Sequence, residues 1–150
     1  MRSPSDSALG RTSDAILGCV ASTAARDAIV GIWRLVSYED RDSESDPWTQ
    51  PFGRDPSGVG VYDGSGFLSM QVFADPSSSS PEPFVGYIGT FAIREATSFG
   101  TGFSGVLEHH MESASHPDLL EEDPARPFVV DGDTLKLGDG RTWRRVFTRL

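Results

Sequence analysis

The ten residues Gly31-Ile32-Trp33-Arg34-Leu35-Val36-Ser37-Tyr38-Glu39-Asp40 constrain the fold of this chain more than any other stretch. Trp33, Leu35 and Ser37 fall on one side, and Arg34, Tyr38 and Asp40 on the other. A period of two marks a strand with one buried face. Gly31, just ahead of the tryptophan, lets another segment approach closely, as at the closed end of a small barrel. An indole buried there needs a partner for its N–H and offers its ring face to a cation. The far end of the chain supplies a candidate in Trp143-Arg144-Arg145-Val146-Phe147, with Arg145 expected to stack on Trp33. First and last strands then meet, and the sheet closes.

A chain of 150 residues suits one domain with a proper core. Sixteen glycines and ten prolines point to short strands and many turns. With a net charge of −9, the surface repels phosphate backbones and anionic lipid, so neither nucleic acid nor membrane is an expected partner. Cys19 is the sole cysteine, so no internal disulfide can form and a reducing compartment fits. Ile16-Leu17-Gly18-Cys19 has a passing likeness to a lipidation site, but Asp6 and Asp14 interrupt the apolar run such a site needs. No stretch approaches the length of a membrane span, and a cytoplasmic location is expected.

Residues 1–23, rich in serine and alanine, read as a flexible N-terminal tail with a helical turn near 15–20. Residues 24–150 read as the domain, starting with a short helix over 24–30 that covers the closed end. The polar segment 42–56 reads as a long loop, whose Trp48 and Phe52 suit either a cover for a pocket mouth or plain half-buried surface rings. Segments 59–62 and 67–73 form a hairpin about Asp63-Gly64-Ser65-Gly66. Strands follow at 84–95, 99–115, 127–131, 134–137 and 141–147, with one helical turn in the acidic stretch 117–124. About eight antiparallel strands, nearly all joined to their neighbours, fit an up-and-down barrel.

Six pieces in order carry a family likeness: the stretch 31–38; Tyr62-Asp63-Gly64-Ser65-Gly66-Phe67-Leu68-Ser69-Met70-Gln71; Tyr87-Ile88-Gly89-Thr90-Phe91; His109-His110-Met111-Glu112 leading to Pro117; Asp131-Gly132-Asp133-Thr134-Leu135; and Trp143-Arg144-Arg145-Val146. Together they resemble the lipocalin-like domain family. The resemblance implies an all-β, eight-stranded antiparallel up-and-down lipocalin-like β-barrel of the calycin type, with a short N-terminal helix closing one end. It also implies a central cavity for a small, largely apolar molecule, and no single activity. Segment 118–125 departs from the family in being acidic, at what would be the pocket rim.

Charge parity sorts the strands. It places Trp33, Leu35, Ser37, Leu135, Leu137, Trp143, Arg145 and Phe147 inside. Tyr87, Gly89, Phe91 and Ile93 form one set, and Leu107, His109, Met111 and Ser113 the inward set of the next strand. In 67–73 both faces are apolar, and the resemblance alone places Ser69 and Gln71 inside. The expected ligand-binding wall comprises Trp33, Leu35, Ser37, Ser69, Phe91, Met111, Arg126, Phe128, Trp143 and Arg145. Apolar walls with a few polar anchors are what small-molecule sites look like.

The expected catalytic set is His109, Tyr87 and Gln71. Histidine can pass a proton near neutrality, tyrosine can donate to a developing oxyanion, and an amide can orient a carbonyl. The structural alternative for His109 is a core histidine hydrogen-bonded to Tyr87 or backbone. His110, Glu112 and His116 share one parity, but a wet outer face argues against a metal there, and no metal or cofactor is expected. No nucleophile elbow or dinucleotide fingerprint occurs, since no helix follows residues 63–66 or Gly58 and Gly60. The leading expectation is a cofactor-independent cyclase or isomerase acting on a polyketide- or terpenoid-type intermediate of secondary metabolism. The alternatives are a non-catalytic carrier and a protein-interaction scaffold. The expected partner is a small apolar organic ligand, and a homodimer is compatible with the sequence.

Overall fold

The computed structural model describes residues 6–150, with side chains from residue 15 onward. A helix, α1 (Asp6–Ile29), leads into eight strands: β1 (Gly31–Asp40), β2 (Ser57–Tyr62), β3 (Phe67–Phe73), β4 (Phe84–Phe99), β5 (Gly102–Ala114), β6 (Ala125–Asp131), β7 (Thr134–Leu137) and β8 (Trp143–Arg149). Each pairs with its sequence neighbour, and β8 returns to β1, giving a closed antiparallel barrel. Closure leaves no unpaired edge in the ring.

The helix is longer than the sequence pattern predicts. It runs unbroken from Asp6, so 6–23 is helical where a tail is expected, and 1–5 lie outside the described residues. Ile16, Leu17 and Val20 are exposed, and close packing starts further on, where Ala25 and Ile29 are fully buried. Residues 6–23 carry only three alanines among serines, threonines and two glycines and show no clear apolar period, so the sequence offers no pattern from which this helix could be read.

The last turn of α1 closes one end of the barrel. Trp33 is fully buried, and its indole N–H donates to the Ile29 carbonyl at 2.7 Å. The cation on its face is Arg149, 4.2 Å from the ring, which corrects the expected Arg145. Arg149 also donates to the carbonyls of Val30, at 3.0 Å, and Ala28. It thereby satisfies oxygens that a helix terminus leaves open. Register gives the reason: Trp33 pairs with Arg149, whereas Arg145 pairs with Tyr38 toward the opposite end. Gly31, at φ 146°, has no room for a side chain, since a Cβ would stand 2.5 Å from the Arg149 guanidinium.

Above this seal lies a core of Leu68, Leu107, Phe128, Val130 and Leu135, all almost wholly buried. Burying each such side chain is worth about 1.5–3 kcal/mol. The lower half of the barrel is therefore packed, and a cavity lies toward the other end. Of the loop 42–56, Trp48 is sandwiched between the guanidiniums of Arg41 and Arg144, at 4.2 and 4.0 Å. Phe52 is buried edge-on against Tyr38, with centroids 4.6 Å apart.

Candidate functional site

A cavity of about 540 Å³ occupies the barrel end opposite α1. Its apolar wall is Met70 and Val72 of β3, Val85 of β4, Leu137 of β7, and Trp143 and Phe147 of β8. Its polar groups are Tyr38 and Asp40 of β1, Tyr87 of β4, Arg126 of β6 and Arg145 of β8. A 3-10 turn, Pro117–Glu121, and the residues after it contribute Leu119, Glu122 and Asp123 at the rim.

Both guanidiniums have carboxylate partners. Arg126 reaches Glu122 at 3.1 Å, and Arg145 reaches Asp40 at 2.7 Å. Arg126 also donates to the Asp123 and Ala125 carbonyls. Arg145 lies over the Tyr38 ring at 3.3 Å and donates to the Glu39 carbonyl at 2.7 Å. Burial pushes the Tyr38 hydroxyl pKa up, partly offset by Arg145.

Behind the wall, three rings share one hydrogen-bonded line. The Tyr87 hydroxyl is 2.9 Å from His109 Nδ1, and the Tyr62 hydroxyl is 2.9 Å from His109 Nε2. His109, 2 % exposed, is the one buried polar side chain among the described residues. Burial, with the positive charge of Arg126 adding to it, pushes its pKa down from 6.5 to about 3, so the ring is neutral near pH 7. Burial likewise raises the Tyr87 and Tyr62 hydroxyls well above their ordinary range, and Arg126 pulls both back. At neutral pH the line is uncharged, and it can pass a hydrogen-bond dipole from the core to the cavity.

Residues 30–81, spanning β1 to β3, match the family model described as a lipocalin-like domain. The match covers about a third of the chain, and the strand number and order of the closed barrel are those of the lipocalin-like fold. No curated protein and no solved structure matches the chain. A lipocalin-like barrel with an end cavity is suited to binding a small molecule, and among the described residues no helix is long and apolar enough to cross a membrane.

Within the lipocalin-like barrel, Tyr87, Arg126, Trp143 and Arg145 meet at the cavity as the sequence predicts. His109 points inward but stands behind Tyr87, in the position of the structural alternative. Trp33, Leu35, Phe91 and Phe128 point inward too, but they are buried in the packed core and closed end and do not line the cavity. Met111 is half-buried and off the lining.

Three expected wall residues face elsewhere. Ser69 and Gln71 lie on the outer face of β3, because Leu68, Met70 and Val72 fill the inner one. Both faces of that strand are apolar, and Phe67 and Phe73 take the exposed side. Phe73 finds a partner there in Phe84, with centroids 4.9 Å apart. Ser37 is displaced by a bulge: Leu35 pairs with Phe147 but Ser37 with Val146, so Val36 is an extra residue. The bulge inverts the parity of β1 beyond it and turns Tyr38 and Asp40 into the cavity. Sequence reasoning missed those two; it read the acidic rim segment 118–125 but not which of its groups, Leu119, Glu122 and Asp123, line the cavity. The Asp40 and Arg145 charges at opposite chain ends were the available signal for the first pair.

The histidines outside the barrel do not converge. His110 pairs with Glu108 at 2.9 Å and His116 with Glu82 at 2.8 Å. Among the described residues no group of three or more metal-ligating side chains is gathered.

Proposed function

We propose that the cavity holds a small, largely apolar intermediate of secondary metabolism, of polyketide or terpenoid type. We further propose that the protein isomerises or cyclises it without a cofactor. The observation that carries this reading is Tyr87, a hydroxyl on an otherwise mostly apolar wall, backed by the buried His109 and flanked by Arg126. The cavity folds a flexible molecule toward its reactive shape. Tyr87 is the catalytic residue, donating a hydrogen bond to an oxygen on which charge develops, and Arg126 steadies that charge. The proton lost from one carbon passes to solvent at the open cavity mouth, and the carbon that gains one takes it from solvent. His109 is a positioning residue, since a ring this weakly basic, with both nitrogens engaged, does not serve as the free base. Gln71, on the outer face, has no part in the step.

The test starts from the molecule that co-purifies with the protein, identified by mass spectrometry. Incubated in heavy water with fresh wild-type protein, its precursor is expected to convert with deuterium uptake. Tyr87→Phe is expected to lower the rate about 100-fold or more while Kd moves less than about threefold.

The second reading, a carrier with the same pocket, draws on a specific observation. Arg126 and Arg145 both have carboxylate partners, and both His109 nitrogens are taken. A carrier returns its ligand unchanged from the same incubation, and Tyr87→Phe then weakens affinity alone. The cavity of about 540 Å³ favours either reading over a scaffold role.

A further inference from the structure

We infer that Tyr62 fixes His109 as the tautomer protonated on Nδ1, so that the Tyr87 hydroxyl proton points into the cavity and selects molecules presenting an uncharged carbonyl-type oxygen. The inference rests on the small-molecule reading above and names the chemical class that the site takes.

A neutral imidazole has one N–H and one bare nitrogen, and a phenol has a single proton to donate. Tyr62 is 1 % exposed, and among the described residues its hydroxyl has one hydrogen-bond partner, His109 Nε2. Were the ring proton on Nε2, Tyr62 would accept it and its own proton would be left buried without an acceptor. Such a stranded donor costs about 1–3 kcal/mol. Donation from Tyr62 to a bare Nε2 removes that cost and puts the ring proton on Nδ1. Nδ1–H then donates to Tyr87 across 2.9 Å, and the Tyr87 proton must find an acceptor elsewhere.

Of the charged neighbours of Tyr87, Arg126 offers only donors, and the Glu122 carboxylate bonds to Arg126 and not to Tyr87. The remaining outlet is the cavity that Tyr87 lines. The difference in burial between the two tyrosines decides the direction: Tyr87 can always meet a guest or water, and Tyr62 cannot.

Charge narrows the class further. Arg126 and Arg145 are matched by Glu122 and Asp40, and Asp123 adds a further carboxylate at the rim. A carboxylate guest finds no unmatched cation, and an ammonium guest is drawn to the rim carboxylates but meets two donors, Tyr87 and Arg126, at the polar end. A ketone, ester, lactone or quinone oxygen meets both donors without adding charge.

The experiment has two parts. With protein labelled by nitrogen-15 histidine, the long-range proton–nitrogen spectrum of the wild type is expected to show a protonated Nδ1 and a bare Nε2 for the buried ring. An Nε2-protonated pattern overturns the inference. Binding of three probes of matched size is then measured by calorimetry: 2-acetylnaphthalene, 2-naphthoate and 1-(2-naphthyl)ethylamine. The ketone is expected to bind about tenfold tighter than the other two, and Tyr87→Phe to abolish that margin. Equal binding, or tightest binding of the carboxylate or amine, overturns the inference and leaves the small-molecule reading standing. If none of the three binds the wild type, the small-molecule reading falls and the inference falls with it.

Discussion

Arg149 and Arg145 are two arginines on one face of one strand, and they do different work. Arg149 caps Trp33 and supplies donors to two carbonyls at the end of α1, so its loss leaves those oxygens unpaired near the sealed end. Arg149→Met is expected to lower the unfolding free energy by about 2 kcal/mol, read from urea denaturation. Arg145→Met is expected to cost less than half of that, because its partner Asp40 is partly open to solvent. That Trp33 needs a cation and an N–H acceptor was legible in the sequence. Which arginine serves was not, because the register of β1 on β8 depends on a bulge that no local residue pattern announces. His109 was legible as inward-facing from the apolar parity of its strand. Its distance from the cavity was not, since parity gives a side and no depth.

Among the elements, β4 is the one that visibly pays for its course. It bends where its pairing with β5 shifts register between Arg94 and Thr97, and Glu95 there is the one non-glycine residue with positive φ, at 57°, among the described residues. A side chain in that region costs about 1–2 kcal/mol, from which glycine is exempt. The ion pair of Glu95 with Arg94 is exposed and contributes little. Glu95→Gly is therefore expected to raise the unfolding free energy by about 1 kcal/mol, measured as a higher urea midpoint with an unchanged slope. A second irregularity, between Ile88 and Gly89, brings the His110 carbonyl against the position a Cβ at Gly89 would need. Gly86 and Gly89 are residues at which a strand can bend, yet Glu95 carries no such mark in the sequence. In α1 the reverse occurs: the helix runs on from Asp6 where the sequence shows no clear apolar period to announce it.

For the whole molecule, acid is the natural probe. The unfolded chain takes a proton on His109 below pH 6.5, and the folded state refuses it until about pH 3. Stability is therefore complete above 6.5 and falls as pH drops through that window, by at most about 1.4 kcal/mol per pH unit from this group. Asp139, held low by hydrogen bonds from Thr142, Trp143 and Arg141 that outweigh its slight burial, adds its own loss only below the ordinary carboxylate range near 3.8. Between pH 6.5 and 4.5, His109→Gln is expected to flatten the slope of unfolding free energy against pH, whatever it does to the intercept. An unchanged slope would place the ring in water. The barrel itself was legible from the alternating strands and their turns, because ring closure needs only that first and last strands match. The acidic rim was legible as a stretch, 118–125, but not which of its groups face the cavity, since a 3-10 turn has no period to read. With α1 covering the far end, a guest enters and leaves by the end that Leu119 and Trp143 line. Arrival and departure share that opening, so a bound guest must leave before another can take its place.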